Sequence, residues 1–151
     1  MRKRRSIAAN RHIVDALERI VFAGVALTTR ALSETRADLD LTLAQWRVLV
    51  VLGESEDGAT ISQVAARIGV TLPATSRQLR RLERRGLVDV GPDQRDRRAT
   101  RVRLTSLGQS ARDDVVSFRR RRIAQISASL DLDPAMATQL ARIAEALDQP
   151  G

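Results

Sequence analysis

TISQVAARIGVTLPATSRQLRRLERRG, residues 60–86, carries its own punctuation. Thr60-Ile61-Ser62-Gln63 reads as a capping box: the Thr hydroxyl accepts from a free backbone N–H of the first turn, while the Gln side chain reaches back to the Thr amide. Behind it Ile61, Val64, Ala65 and Ile68 recur on one face of a short helix, and Gly69 stops it. Only Val70 intervenes before Thr71, which can cap a further helix with Pro73 in its first turn. That helix runs to Arg85, where Gly86 ends it. Two short helices joined so tightly predict a helix-turn-helix unit.

Downstream the period changes from helical to alternating. Leu87 to Val90 reads as a short strand, Gly91-Pro92-Asp93 as turn chemistry, and Ala99 to Leu104 as a second strand with Val102 and Leu104 on one side and Arg101 and Arg103 on the other. The expectation is a β-hairpin with one wet, basic face. Its tip reads Asp93-Gln94-Arg95-Asp96-Arg97-Arg98.

Upstream, Ile13, Val14, Leu17, Ile20, Val21, Val25 and Leu27 recur at helical spacing, which predicts one long amphipathic helix over about 10–32 and marks it as a partner helix. Thr42-Leu43-Ala44-Gln45 is a second capping box, and the apolar run Trp46 to Leu52 behind it suits a buried helix. At the other end Thr105 can cap a helix that continues through Val115, Val116, Phe118, Ile123 and Ile126 to about Leu130. Asp133-Pro134 then opens a last amphipathic helix through Met136, Leu140, Ile143 and Leu147. The resulting fold class is mainly α with a small β-hairpin, and the element order excludes the βαβ alternation of a nucleotide-binding α/β fold.

Composition agrees with an aliphatic helical core, since 43% of the chain is apolar and only 2% aromatic. The net charge of +8 favours a polyanionic partner without choosing among DNA, RNA and an anionic membrane. Its placement says more. Residues 71–104 hold ten Arg against Glu83, Asp89, Asp93 and Asp96, whereas residues 31–58 hold two Arg against six acids. Cysteine is absent and His12 is the one histidine, so thiol chemistry and histidine-rich metal sites have no ligands, and no metal or cofactor is expected. The basic start Met1 to Arg5 lacks the apolar stretch of a signal peptide, and the longest nearly apolar run, Ile20 to Leu27, is far too short to span a membrane. These features lead to the expectation of a cytoplasmic protein with no membrane partner.

On the helix from Thr71 to Arg85, spacing by 3 and 4 places Leu72, Thr75, Leu79 and Leu82 inward. Pro73, Ala74, Ser76, Arg77, Arg80, Arg81 and Arg84 are left facing outward. A DNA major groove admits such a helix: small residues near its start let the backbone approach, and Arg binds phosphate or donates two hydrogen bonds to guanine. A lone basic helix face is more often simply solvated, but the capped helix before it and the basic hairpin after it tip the balance toward nucleic acid. In the hairpin tip, an acid can hold a neighbouring Arg extended while the other Arg side chains meet phosphate or enter the minor groove.

Three segments in order, Leu82-Glu83-Arg84-Arg85-Gly86-Leu87-Val88, then Asp93 to Arg98, then Leu104-Thr105-Ser106-Leu107-Gly108, resemble the signature of the multiple-antibiotic-resistance regulator (MarR) family, and the helix order fits from about residue 10 to 147. The resemblance implies a homodimeric winged helix-turn-helix regulator of transcription. Residues 1–35 would form an N-terminal dimerisation helix, 36–108 the DNA-binding lobe, and 109–151 the C-terminal dimerisation helices. By position Pro73, Ala74, Ser76 and Arg77, with Thr71 at their head and Arg80 and Arg81 beyond, would lie against double-stranded DNA. On the wing Arg95, Asp96, Arg97 and Arg98 would do so, with Arg98 matching the family's wing-tip Arg and Asp96 orienting it. Arg80 stands where the family commonly has an acid, and Asp89-Val90 where basic residues are frequent, which leaves base preference at those positions open. The resemblance also implies repression of a neighbouring or own promoter, and it places a small-molecule effector pocket near Trp46; with two Phe and one Trp offering little for stacking, an aliphatic effector or none at all is left open.

Competing readings attach to several of these residues. A lone Trp in an aliphatic helix is more often core than pocket lining. His12 suits an exposed helix surface, and Arg119 to Arg122 a solvated face, a DNA flank or a partner's acids. An architectural, sequence-indifferent nucleic-acid binder fits the charge equally. An enzyme fits poorly: Asp113-Asp114 diverge on a helix, and Glu54, Glu56 and Asp57 have no His, Cys or phosphate-binding Gly motif beside them.

Overall fold

The computed structural model describes residues 2–93, 100–130 and 132–148. In chain order they form α1 (Arg2–Thr35), a 3-10 turn (Ala37–Leu39), α2 (Leu43–Leu52), β1 (Ala59–Thr60), α3 (Ile61–Ile68), α4 (Leu72–Arg84), β2 (Val88–Pro92), β3 (Thr100–Leu104), α5 (Ser106–Ser129) and α6 (Ala135–Asp148). The strands make one antiparallel sheet in the order β1-β3-β2. The mainly helical winged architecture expected from the sequence is therefore the one observed.

Local chemistry sets the element boundaries. Both expected capping boxes are present: the Thr42 and Thr60 side chains accept from the amides of Gln45 and Gln63, and the Gln side chains return the bond. A cap of this kind contributes about 1 kcal/mol. At the other end of α3, Gly69 turns left-handed (φ 67°), and the amides of Val70 and Gly69 close back onto the carbonyls of Ala65 and Ala66. Gly86 does the same for α4, with Leu87 and Gly86 bonding the carbonyls of Leu82 and Glu83. Both ends are Schellman closures, in which a positive φ without a Cβ penalty satisfies carbonyls that the helix leaves orphaned.

The core is built around α2. Val48, Leu49 and Leu52 meet Val64 and Ile68 of α3, Leu79 and Leu82 of α4, Leu87, Val88 and Val102 of the sheet and its approach, and Ala111 and Val115 of α5. Each such aliphatic side chain stabilises the fold by about 1.5–3 kcal/mol through burial. Of α1, the C-terminal end joins this core through Thr28, Ala31 and Leu32. Its earlier apolar positions do not: Ile13, Val14, Ile20, Val21, Phe22 and Val25 stand exposed, as do Ile123, Ile126 and Leu130 of α5 and Met136, Leu140 and Leu147 of α6.

Several expectations need correction. Helix α1 is longer at both ends than the periodic stretch, beginning at Arg2 and ending at Thr35. Thr71 occupies the N-cap position of α4 but its side chain makes no capping bond. The physical reason is Pro73, which removes the N–H at the second helical position, one of the two donors such a cap would serve. Leu72 is exposed, not inward, because the apolar stripe of α4 runs one turn past the edge of the core, which ends at Thr75. Gly91 and Pro92 belong to strand β2, paired with Arg101 and Thr100, instead of forming a turn. β2 is an edge strand, where a residue without an N–H is tolerated. The two-residue β1 adds a third strand that is too short to leave a period in the sequence. Gly58 (φ 74°) admits it, since a Cβ there would collide with the carbonyl oxygen of Val102.

Candidate nucleic-acid interface

Helix α4 is fixed from beneath by Thr75, Leu79 and Leu82, all buried. The opposite face stands in solvent: Thr71, Pro73, Arg77, Arg80, Arg81 and Arg84 are exposed, with Ala74 and Ser76 half-buried between them. Among the described residues no ion pair engages these four arginines. Their charge is therefore directed outward from a helix whose first turn also presents the positive end of the backbone dipole. A convex, cationic helix surface with small residues near its start has the shape and charge to enter a major groove.

The sheet stem rises beside α4, since Gly86 and Leu87 lead from one into the other. Of the tip, Arg95, Asp96, Arg97 and Arg98 lie outside the described residues. Asp93, read from sequence as part of an exposed tip, is buried, and accepts a hydrogen bond from Arg101 Nε at 2.7 Å. Arg101 in turn is not on a wet face. Its guanidinium also donates to the carbonyls of Gly58 at 3.0 Å and Asp57 at 3.4 Å. Alternation alone could not distinguish a solvated strand face from one whose cations are consumed by the neighbouring loop. No sequence signal marks this latch, since Asp93 lies one residue to the tip side of the Pro92–Thr100 pair and Arg101 one residue to the stem side.

Trp46 is 5% exposed, at the level of a core residue, yet its indole N–H has no hydrogen-bond partner among the described residues. The guanidinium of Arg119 lies over its ring, 5.3 Å from the centroid, within cation–π range. Burial pushes the Arg119 pKa down, and its Nε is likewise unpartnered. The sequence reading grouped Arg119 with Arg120 to Arg122 as one solvated run. Only the latter three are exposed, because Arg119 lies four residues beyond buried Val115, on the helix face that already holds Ala111.

Three of the five carboxylates weighed as catalytic candidates are engaged in salt bridges. Asp114 bonds Arg36 at 3.2 Å, Asp113 bonds Arg112 at 2.7 Å, and Glu54 bonds Arg67 at 2.8 Å. His12 is exposed. Among the described residues no group of His, Cys, Asp or Glu could hold a metal ion, and no helix is long and apolar enough to cross a membrane.

Comparison with known proteins gives a consistent picture. Residues 39–99 match the model of the MarR family. Over 70 residues the chain is 34% identical to the HTH-type transcriptional repressor IacR of Pseudomonas putida, a match covering 46% of this chain and 41% of that repressor, so less than half of the relative's length is represented. Among solved structures, RV1404 from Mycobacterium tuberculosis is 28% identical and superposes with a TM-score of 0.77 over 92% of this chain and 94% of its own. Streptococcus pneumoniae FabT, crystallised in complex with DNA, is 22% identical with a TM-score of 0.77 over 91% of this chain and 96% of its own, a likeness of fold.

Proposed function

We propose that this chain, whose residues 39–99 match the MarR family model, is a sequence-specific DNA-binding regulator of transcription, a repressor that occupies a pseudo-palindromic operator as a homodimer. The observation that carries the reading is the outward face of α4, where four arginines with no ion-pair partner among the described residues surround an N-terminal patch of small residues. In this reading Thr71, Pro73, Ala74, Ser76, Arg77, Arg80 and Arg81 meet the major groove. Arg95, Arg97 and Arg98 meet the adjacent minor groove, with Asp96 orienting Arg98. Asp113 and Asp114, weighed as catalytic acids, are held in salt bridges with Arg112 and Arg36.

The distribution of apolar surface supports homodimerisation. Phe22 is 78% exposed, and with Ile13, Ile20, Val21, Ile126, Leu140 and Leu147 it leaves the helices at the two ends of the chain with uncovered hydrocarbon beyond what a monomer ordinarily tolerates. Pairing of residues 1–35 and 109–151 between two copies would cover it, leaving 36–108 as the DNA-binding lobe. Two lobes then present recognition helices about one helical turn of DNA apart, roughly 34 Å. A small-molecule effector is the further part of this reading. The orphaned indole N–H of Trp46 beside the half-buried Arg119 supports a ligand that offers an acceptor or anionic group.

Footprinting of the purified protein on its neighbouring intergenic DNA, with excess random competitor, tests the proposal. A discrete, two-fold symmetric footprint is expected. Binding no tighter than to random duplex would refute it and would favour a sequence-indifferent architectural role.

A further inference from the structure

Strand β3 carries two arginines of unlike surroundings. Arg103 makes no ion pair among the described residues, whereas the guanidinium of Arg101 is bonded on two sides. On one side is Asp93, the last described residue before the wing tip. On the other are the carbonyls of Asp57 and Gly58, immediately before β1 and α3. The backbone of Arg101 also pairs with Gly91 of β2 and Thr60 of β1, and Thr60 is the residue that caps α3. A single side chain thus ties both roots of the wing tip to the entrance of the helix-turn-helix. The Arg101 and Asp93 side chains are 18% and 8% exposed, so water competes little for these bonds.

We infer that Arg101 and Asp93 form a latch that fixes the wing relative to the α3–α4 unit, making Arg101 a positioning residue and not a cation for DNA. The inference rests on the DNA-binding reading for its functional consequence, but the latch is a property of the free protein. A fork-shaped guanidinium suits the task, since it can serve a carboxylate and two carbonyls at once where an ammonium is a single point. Losing the latch would let the tip rotate about its stem. Wing and recognition helix would then no longer reach two grooves in register.

The idea has an unusual sign. Neutralising an acid beside a DNA-binding face ought to tighten binding through simple electrostatics. The latch predicts the reverse for Asp93→Asn.

The test uses wild type, Asp93→Asn, Arg101→Gln, Arg101→Lys and the control Arg103→Gln, with two measurements. Amide hydrogen exchange in the free protein should rise at residues 59–60, 88–91 and 100–104 in Asp93→Asn and Arg101→Gln, and stay at wild-type level in α2 and α5. Arg101→Lys should fall between, and Arg103→Gln should leave the stem unchanged. Exchange that rises uniformly through the chain, or nowhere, overturns the latch. Affinity is then measured for a duplex recovered from a randomised pool by the wild-type protein. Asp93→Asn and Arg101→Gln should each weaken it by roughly tenfold, the scale of one lost groove contact. Random-duplex affinity should not fall in Asp93→Asn, and Arg101→Gln and Asp93→Asn should change the salt slope alike, whereas a phosphate contact made by Arg101 itself would lower the slope by about 0.9 in Arg101→Gln alone. A slope lowered in Arg101→Gln alone, or tighter binding by Asp93→Asn, overturns the positioning role. If the wild type recovers no preferred duplex, the regulator reading fails, and the exchange measurement still decides the latch.

Discussion

The hydroxyl of Thr105 donates to the carbonyl of Gly86 at 2.6 Å while accepting from the amide of Gly108 at 3.0 Å. One side chain therefore closes the exit of helix α4 and opens helix α5. The Thr105 amide adds a third link, to the Leu87 carbonyl at 3.2 Å. Removing the hydroxyl in Thr105→Ala should cost about 1–2 kcal/mol of stability, the range of a strong N-cap, and Thr105→Ser should recover most of it. Thermal unfolding followed by circular dichroism reads both.

Gly108 and Gly69 resist a side chain for different reasons, and alanine separates them. At Gly108 a Cβ would overlap the carbonyl oxygen of Leu87, whereas at Gly69 nothing lies within 4 Å and only the left-handed φ opposes a side chain. Gly69→Ala should cost about 1 kcal/mol through backbone strain, and Gly108→Ala should cost more, because α5 must move off the sheet stem. Urea titration checks the order. Equal costs would mean that the contact at Gly108 relaxes freely.

On the proposed DNA-binding face, Arg77→Ala and Arg98→Ala should each lose about 1–3 kcal/mol of specific affinity, and exposed Arg142→Ala on α6 should lose almost none. Titration against the footprinted duplex at fixed salt is the measurement. Equal losses at all three would show that bulk charge, and not position, drives binding.

Much of this was legible before any coordinates, and the boundary is instructive. Capping boxes and glycine stops announced α2, α3 and the end of α4, since they depend on neighbours within a few residues. The buried face of α4 was legible from spacing except at Leu72, whose fate depends on where the core ends. What escaped were facts of tertiary juxtaposition: β1, which is two residues long, the burial of Asp93, and the separation of Arg119 from the arginines that follow it. Charged residues mislead in this way because a cation in solvent and a cation spent on a carbonyl look alike in sequence.

Trp46 is the chain's sole tryptophan, so its fluorescence reports a single place. Arg119→Ala strips the cation from over the ring and should shift the emission to longer wavelength as water reaches the indole. An anionic ligand in the same place should change the emission of the wild type, and not that of Arg119→Ala. An unchanged spectrum on truncation would mean that other side chains cover the ring.

Surface Phe22 invites a direct test of assembly. Phe22→Glu places a charge where two copies would meet, and sedimentation should then show a shift from dimer toward monomer at concentrations where wild type stays paired. Monomeric wild-type protein would remove the assembly from the proposal.

The bare hydrocarbon of α1 and α6 has one more consequence. Under the proposed pairing, a protomer that finishes its folding only against a twin has no fixed melting point of its own, because mass action enters its unfolding equilibrium. Dilution would loosen the end helices first and, through them, the spacing on which two-site occupancy depends. The number of copies in a cell would then act as a control variable, setting both how much protein survives and how much of it can hold an operator.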